Sequence, residues 1–303
     1  MTPVFEDIPR HGFGIFLVIV ASMTLAVMNG AVKWLTLAGY PTFQIIFMHA
    51  LIGFCAIAGW LLWTRNGRWI RRVRPMLAAY VAAAVCACYA LYYAFGHGQL
   101  AQISTITAAA PLLVAVLSFF FLGERLTPWQ IILAVTGFAG ILMVLQPDAD
   151  MQLEKAIWVA LLGMAALAAS QVLVRKLSRT VHTVAFIFYF YFGVLIISGA
   201  LMDWRPVAVQ DWPVILMGGA ADVVALVLMY RAFHHAPASL VTPFQYSNIV
   251  WNALIGYVIW QEAPSFWTAA GAVVIIGAGI LFTQSALVKK QARQNDAPET
   301  KGA

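Results

Sequence analysis

The sequence predicts an all-α integral membrane protein: ten transmembrane helices arranged as two inverted five-helix repeats. Three observations carry that prediction. Of 303 residues, 62% are hydrophobic and only 10% charged, with a mean hydropathy of +0.84, whereas soluble chains average about 25% charged residues. The apolar residues gather into runs long enough to cross a bilayer core, which takes about 20 residues per helix. The two halves of the chain also resemble each other, the mark of an internally repeated architecture. A β-barrel would satisfy its backbone in lipid equally well, but barrel strands alternate apolar and polar residues, and a run such as Ile131 to Val144 does not.

The spans follow in order at residues 13–35, 42–63, 75–95, 98–122, 127–146, 155–177, 182–202, 212–233, 237–260 and 265–287. The first is too long for the apolar region of a signal peptide. It contains Asn29, Lys33 and Trp34 where a small-residue cleavage site would stand, so it reads as an uncleaved helix. The fourth and ninth carry Pro111 and Pro243, each of which removes a backbone donor and kinks a helix; both are candidate hinges. Pro237 instead opens the ninth at a first-turn position where the missing N–H costs nothing. In the fifth, Ala134, Gly137 and Gly140, and in the tenth, Ala270, Gly271 and Gly277, let helices approach closely. That pattern predicts packing in preference to a dimer face. Residues 1–12 read as a cytoplasmic tail and 288–303 as a disordered cytoplasmic tail rich in Lys, Gln and Asp.

Charge sets the orientation. Cytoplasmic loops near span ends collect Lys and Arg, and with both termini inside only Lys33, Lys155 and Arg205 of the 18 basic residues fall on the outer side. An odd number of spans would spoil this alternation. The formal charge of +6 is thus a topology signal, and its scatter over loop ends argues against a nucleic-acid partner. The stretch from Arg65 to Arg74, with Trp69, is expected to lie on anionic lipid of the inner leaflet. Cys55, Cys86 and Cys88 lie inside apolar runs, where a thiol behaves as a small hydrophobe. They suggest neither a disulfide framework nor a metal site, and no cofactor is expected.

The repeat can be aligned residue by residue. Leu25 to Lys33 matches Leu167 to Arg175, and at an offset of 138 Ala94-Phe95 matches Ala232-Phe233, His97 matches His235, Glu124 matches Glu262 and Trp129 matches Trp267. Five helices per unit means that the second unit enters the membrane from the opposite side. Inverted repeats of this kind build many secondary transporters, with the solute site near the midplane between them.

Phe119 to Thr127, including Gly123-Glu124-Arg125, followed by Gly137-Phe138-Ala139-Gly140-Ile141-Leu142, resembles the end of an EamA domain of the drug/metabolite transporter superfamily; Trp260-Gln261-Glu262 with Gly277-Ala278-Gly279-Ile280 is a weaker copy. The resemblance covers residues 13–287, as repeats 13–146 and 155–287. The segments Val27 to Leu35 and Tyr40 to Phe47 are similar to the branch that includes S-adenosylmethionine and riboflavin uptake permeases. Relatives there often carry Asp and Arg where Asn29 and His49 stand. The resemblance implies a multi-pass protein of the bacterial inner membrane, monomer or homodimer, whose partners are a small-molecule solute and membrane lipids.

Polar groups inside a span are costly and mark the transport path. Asp222 alone among the twelve acidic residues sits in mid-span, which makes it a candidate proton-coupling group. Gln245, Asn248 and Asn252 share one face of the ninth helix, with Trp251 beside them as the tryptophan nearest a midplane. An amide stripe next to an indole suits a planar aromatic solute. Asn29, His49 and Gln171 add one group each from other spans. The counterparts of Gln245, Asn248 and Asn252 in the fourth helix, Thr107, Ala110 and Val114, are almost apolar, so the second repeat should supply most of the specificity.

These features predict a secondary transporter that moves a small organic, aromatic or heteroaromatic metabolite by alternating access. Uptake of a cofactor-like solute is favoured over export of amino acids or drugs. A membrane enzyme acting on a lipid is a remote third reading, since no nucleophile and base constellation stands out. A channel would favour a continuous ring of like groups, and no nucleotide-binding motif for direct ATP drive is present.

Overall fold

The computed structural model describes residues 11–64, 75–123, 126–145, 155–177, 181, 183–236 and 241–295. Glu124, the basic stretch 65–74 and Pro237 lie outside them. The described residues form α1 (His11–Leu37), α2 (Thr42–Thr64), α3 (Pro75–His97), α4 (Leu100–Thr107), α5 (Ala110–Leu122), α6 (Pro128–Leu145), α7 (Lys155–Leu177), α8 (Thr183–Leu201), α9 (Trp212–His235), α10 (Ser247–Trp260) and α11 (Phe266–Asn295). Nine spans among the described residues are long and apolar enough to cross a membrane. The tenth is the ninth in chain order, where a 3-10 turn, Thr242–Tyr246, precedes the 14-residue α10.

The fourth and ninth spans are not continuous helices. Pro111 has no N–H to return to the Thr107 carbonyl, and the chain tightens through Ala109 N–H to Ile106 O (3.2 Å) before α5 begins. Pro243 stands at the start of the 3-10 turn in the same way. Both prolines therefore occupy first-turn positions after an interruption, where the missing donor is tolerated, and not the middle of a kinked helix. The last helix also departs from expectation. It runs on to Asn295 through Lys289, Lys290 and Arg293, because Lys, Gln, Ala and Arg are good helix formers once a span has nucleated them; residues 296–303 lie outside the described set.

The two repeats interleave. Helix α1 packs along α9 and α10, and its repeat mate α7 packs along α3 and α5; α6 lies on α11 and α2 on α8. Small residues make the close crossings. A side chain on Gly271 would meet the Gly140 carbonyl at 2.6 Å, and Gly140 faces Ile275 and Gly271 in return. Gly137 packs against Leu112, while Gly277 meets nothing within 4 Å. The apolar core runs through α1, α3, α4, α7 and α11, with Val32, Leu35, Leu100, Ile103, Ile106 and Ile275 fully enclosed. Outward faces are apolar as well: Phe16, Leu62, Phe120, Val135, Val258 and Val273 are exposed on six different helices, as lipid-facing surfaces require. Trp34, Trp63, Trp129, Trp158, Trp212 and Trp267 are exposed near helix ends, matching an interfacial aromatic belt.

Candidate functional site

A cavity of about 460 Å³ lies at the centre of the bundle, walled by α1, α3, α4, α5, α7, α8, α9, the 3-10 turn and α10. Its walls obey the repeat. At the offset of 138, Ala84 and Asp222, Ser104 and Thr242, Thr107 and Gln245, Ala110 and Asn248 all line it; at the offset of 142 so do Leu25 and Leu167, Met28 and Ser170, Asn29 and Gln171. In most of these pairs the second repeat carries the more polar residue. The two interrupted spans contribute their broken segments, Thr107 to Pro111 and Thr242 to Asn248, so the cavity lies beside backbone that is not continuous helix.

On one wall the amides form a connected chain. Asn29 Nδ2 donates to Asn252 Oδ1 (3.1 Å), Asn252 Nδ2 donates to the Asn248 carbonyl and to its Oδ1 (both 2.8 Å), and Asn248 Nδ2 donates to the Ser22 carbonyl (2.8 Å). This chain ties α1 to α10 and orients Asn29 and Asn248 toward the cavity. Asn252, 0% exposed, stands behind them and does not reach the wall.

Across the cavity stands Asp222, the only charged side chain on the wall among the described residues. Tyr191 donates its hydroxyl to Asp222 Oδ2 at 2.6 Å, and the Tyr191 ring fits because Gly53 has no side chain to collide with it. Asp222 also borders a side pocket of about 40 Å³ with Cys88, Tyr92 and Tyr191, enough for one or two waters. His49, 1% exposed, lies off the wall with Nδ1 3.3 Å from the Tyr92 hydroxyl and Nε2 against Gly218, without a hydrogen-bond partner among the described residues. Trp251 is outside the wall too, its indole N–H buried and likewise without a partner among the described residues. Thus Asn29, Gln171, Gln245, Asn248, Asp222 and Pro111 gather round one space, and His49, Trp251, Asn252 and Pro243 do not border it.

The aromatic wall is made by Tyr80, Tyr92, Phe95, Phe190 and Tyr246. Tyrosines abound in these spans, and nothing in their spacing separates wall from packing. Gln102 and Thr105, also polar residues of the fourth span, bond the Val144 and Ala101 carbonyls.

At one end the bundle is closed. Lys33 forms an ion pair with Glu262, donates to the Gly98 carbonyl (2.8 Å) and lies over the Trp260 ring, while Glu262 also accepts the first amide of α4 from Leu100 (3.4 Å). Around this centre the 202–211 loop is fastened to the α1–α2 turn: Gln44 exchanges two hydrogen bonds with Arg205 (2.7 and 3.0 Å), and Tyr40 donates to Asp211 (2.7 Å). The Ala208 amide, donating to the Tyr40 hydroxyl, lowers its pKa, but the bond to Asp211 and desolvation outweigh it and leave the phenol above its ordinary value. Lys33 and Glu262 were visible in the sequence only as repeat markers; their pairing spans 229 positions and needs the fold.

Comparison with known proteins agrees with this architecture. A crystal structure matches 92% of this chain and 97% of its own at TM-score 0.60 and 19% identity, a likeness of fold. The pseudopaline exporter of Pseudomonas aeruginosa is 32% identical over 90% of this chain and 96% of its own length. A riboflavin transporter of Brucella anthropi is 25% identical over 86% and 95%, and an S-adenosylmethionine uptake transporter of Rickettsia bellii 24% identical over 64% and 67%. These relatives are transporters, not enzymes. With the profile of the EamA-like transporter family matching twice, over residues 12–146 and 154–284, this multi-pass membrane protein belongs to that family of small-solute transporters.

Proposed function

We propose that the protein is a secondary transporter of the bacterial inner membrane, termini inside, which carries a small polar organic solute in the central cavity by alternating access. The observation that supports this reading is the cavity itself. Its volume of about 460 Å³ falls within the roughly 300–1,000 Å³ of small-molecule sites, and it sits where the two inverted repeats meet. Asn29, Gln171, Gln245 and Asn248 would receive the solute's polar edge and the tyrosines its apolar or aromatic body. Asp222 would take up or release a proton as the cavity changes sides.

Export is the direction we assign, in place of the uptake favoured by the first two helices: the relative at 32% identity over 90% of this chain is an exporter, and the uptake relatives share 24–25%. The test is thermal stabilisation of the purified protein by a panel of pseudopaline, amino acids, nucleosides, flavins and S-adenosylmethionine, followed by counterflow in proteoliposomes. A ligand of the folded state raises the melting temperature by mass action. A shift lost in Asn248→Ala and kept in Trp251→Phe supports the cavity site. A shift that survives Asn248→Ala, Gln245→Ala and Asn29→Ala together places the solute elsewhere.

A further inference from the structure

We propose that Lys33 and Glu262 are the gate that shuts the Trp260 end of the cavity, and that the Asn29–Asn252 hydrogen bond one turn deeper ties this gate to solute occupancy. The proposal rests on the central cavity being the solute site. It starts from which groups the pair joins. Lys33 belongs to the first repeat and Glu262 to the second; between them they hold α1, the Gly98 turn, the first amide of α4 and the end of α10. These are four elements that must separate for the cavity to open at this end. The cavity wall, in contrast, reaches Tyr80 near the start of α3 and Thr242 at the opening of the ninth span, at the other end of the bundle. Among the described residues, the cavity is therefore shut off at the Trp260 end and extends toward the opposite one.

The pair is nearly dry. The Lys33 side chain is 7% exposed and that of Glu262 20%, and the Trp260 ring lies 5.4 Å from the ammonium, a cation–π contact. The backbone helps to aim Glu262: Gln261 takes a left-handed φ of 57° that ends α10, and the Glu262 amide returns to the Gly256 carbonyl at 3.1 Å. Two rungs thus join α1 and α10. Lys33 lies one turn beyond Asn29 on α1, and Gly256, which anchors Glu262, lies one turn beyond Asn252 on α10. The lower rung shares its amides with the cavity, since Asn29 lines the wall and Asn252 bonds Asn248, which also lines it. A solute that takes the hydrogen-bonding capacity of Asn29 and Asn248 draws it from that rung. The ion pair is then left as the last tie between the two helices at the mouth. Occupancy and opening become one linked equilibrium, shifted only by the difference in the solute's contacts between the two states.

The test reads access, not transport. In a background with Cys55, Cys86 and Cys88 replaced by serine, a single Thr107→Cys on the cavity wall is labelled with a charged, membrane-impermeant maleimide in vesicles of both orientations; Ala38→Cys marks which face carries Trp260. The parent is expected to label from the opposite face. Lys33→Gln and Glu262→Gln should each raise the labelling rate from the Trp260 face by about tenfold or more, the factor for a charge-assisted hydrogen bond. Lys33→Arg should label like the parent, and combining Lys33→Glu with Glu262→Lys should restore most of the protection. Asn252→Ala should open the same face by about threefold to tenfold.

A cysteine at the enclosed Ile275, which is 0% exposed and borders no part of the cavity, separates gating from unfolding, since only a misfolded chain labels there. The two single substitutions attack the pair from either side, so one that misfolds leaves the other to decide. Parent-like labelling from the Trp260 face in the folded variants overturns the gate. Parent-like labelling in Asn252→Ala overturns its tie to occupancy. Because no solute is needed, a protein that gates as described but is stabilised by no solute faults the transport assignment alone, and one that binds solute with unchanged labelling faults the gate alone.

Discussion

In the proposed mechanism, Asp222 is the residue on which coupling turns. It is held by one hydrogen bond, from Tyr191, and no basic side chain shares the cavity wall among the described residues, so the proton is the natural partner of its second oxygen when no solute is bound. If solute and proton share this group, the logarithm of the apparent solute Kd changes by about one per pH unit where Asp222 titrates, and by about zero in Asp222→Asn. Binding titrations at a series of pH values check this; an unchanged slope in Asp222→Asn moves the proton site elsewhere. Tyr191→Phe keeps the ring against Gly53 and removes only the hydroxyl, so it should shift the pH midpoint while leaving folding intact. Asn248→Ala has a different signature. It removes a donor to Ser22 and an acceptor for Asn252, and should weaken solute binding by about 1–3 kcal/mol with the pH slope unaltered. The sequence exposed Asp222, Asn29, Gln171, Gln245 and Asn248 because polar residues are rare in spans. Rarity cannot say which way a side chain points. Trp251 was singled out for its depth, yet its indole turns away from the cavity, and the tyrosines that do face it look like any other span aromatics.

At the scale of elements, the span pattern was legible almost to the residue, because lipid demands long apolar runs and loops interrupt them. What hydropathy could not show is continuity. Residues 98–122 are one apolar run, but Pro111 divides them into α4 and α5, and Pro243 leaves the ninth span a 3-10 turn ahead of α10. Hydropathy sums side chains, whereas these breaks are made by a missing backbone donor. Small-residue stripes carried more structural meaning: Gly140 and Gly271 bring α6 and α11 into backbone contact within the chain. Gly271→Leu has no room, with the Gly140 carbonyl 2.6 Å from where its Cβ would stand. It should destabilise the protein by about 1–3 kcal/mol, read as an earlier thermal transition. Gly277→Leu, with open space around it, should melt like the parent. An early transition in Gly277→Leu that disappears on dilution would instead mark that stripe as a contact between copies.

At the scale of the molecule, inversion explains the division of labour. Two repeats of opposite orientation give a cavity whose walls pair at fixed offsets, so every position occurs twice, once near each face. Selection for a solute needs only one polar member of each pair, and here that member comes mostly from the second repeat: Asp222 opposite Ala84, Gln245 opposite Thr107, Asn248 opposite Ala110. Selection for switching needs both members at the ends, and in the sequence alignment of the repeats Lys33 corresponds to Arg175 and Glu262 to Glu124. The number of spans also fixes which ends share a face. With ten spans, the α1–α2 turn at Gly39 and the 202–211 loop at Arg205 share one face, as their hydrogen bond of 2.8 Å requires, and the ends of α2 and α7 lie at the other. The orientation we propose from the positive-inside bias has the Gly39 face outside. An impermeant thiol reagent applied to intact cells carrying Ala38→Cys, in the background with the three native cysteines replaced, should label within minutes, while Thr64→Cys at the end of α2 should label only after the membrane is opened. The opposite result would turn the protein over in the membrane without altering its fold. It would leave the proposed gate between the same residues but put it on the cytoplasmic mouth, and the cavity would then extend toward the outer face.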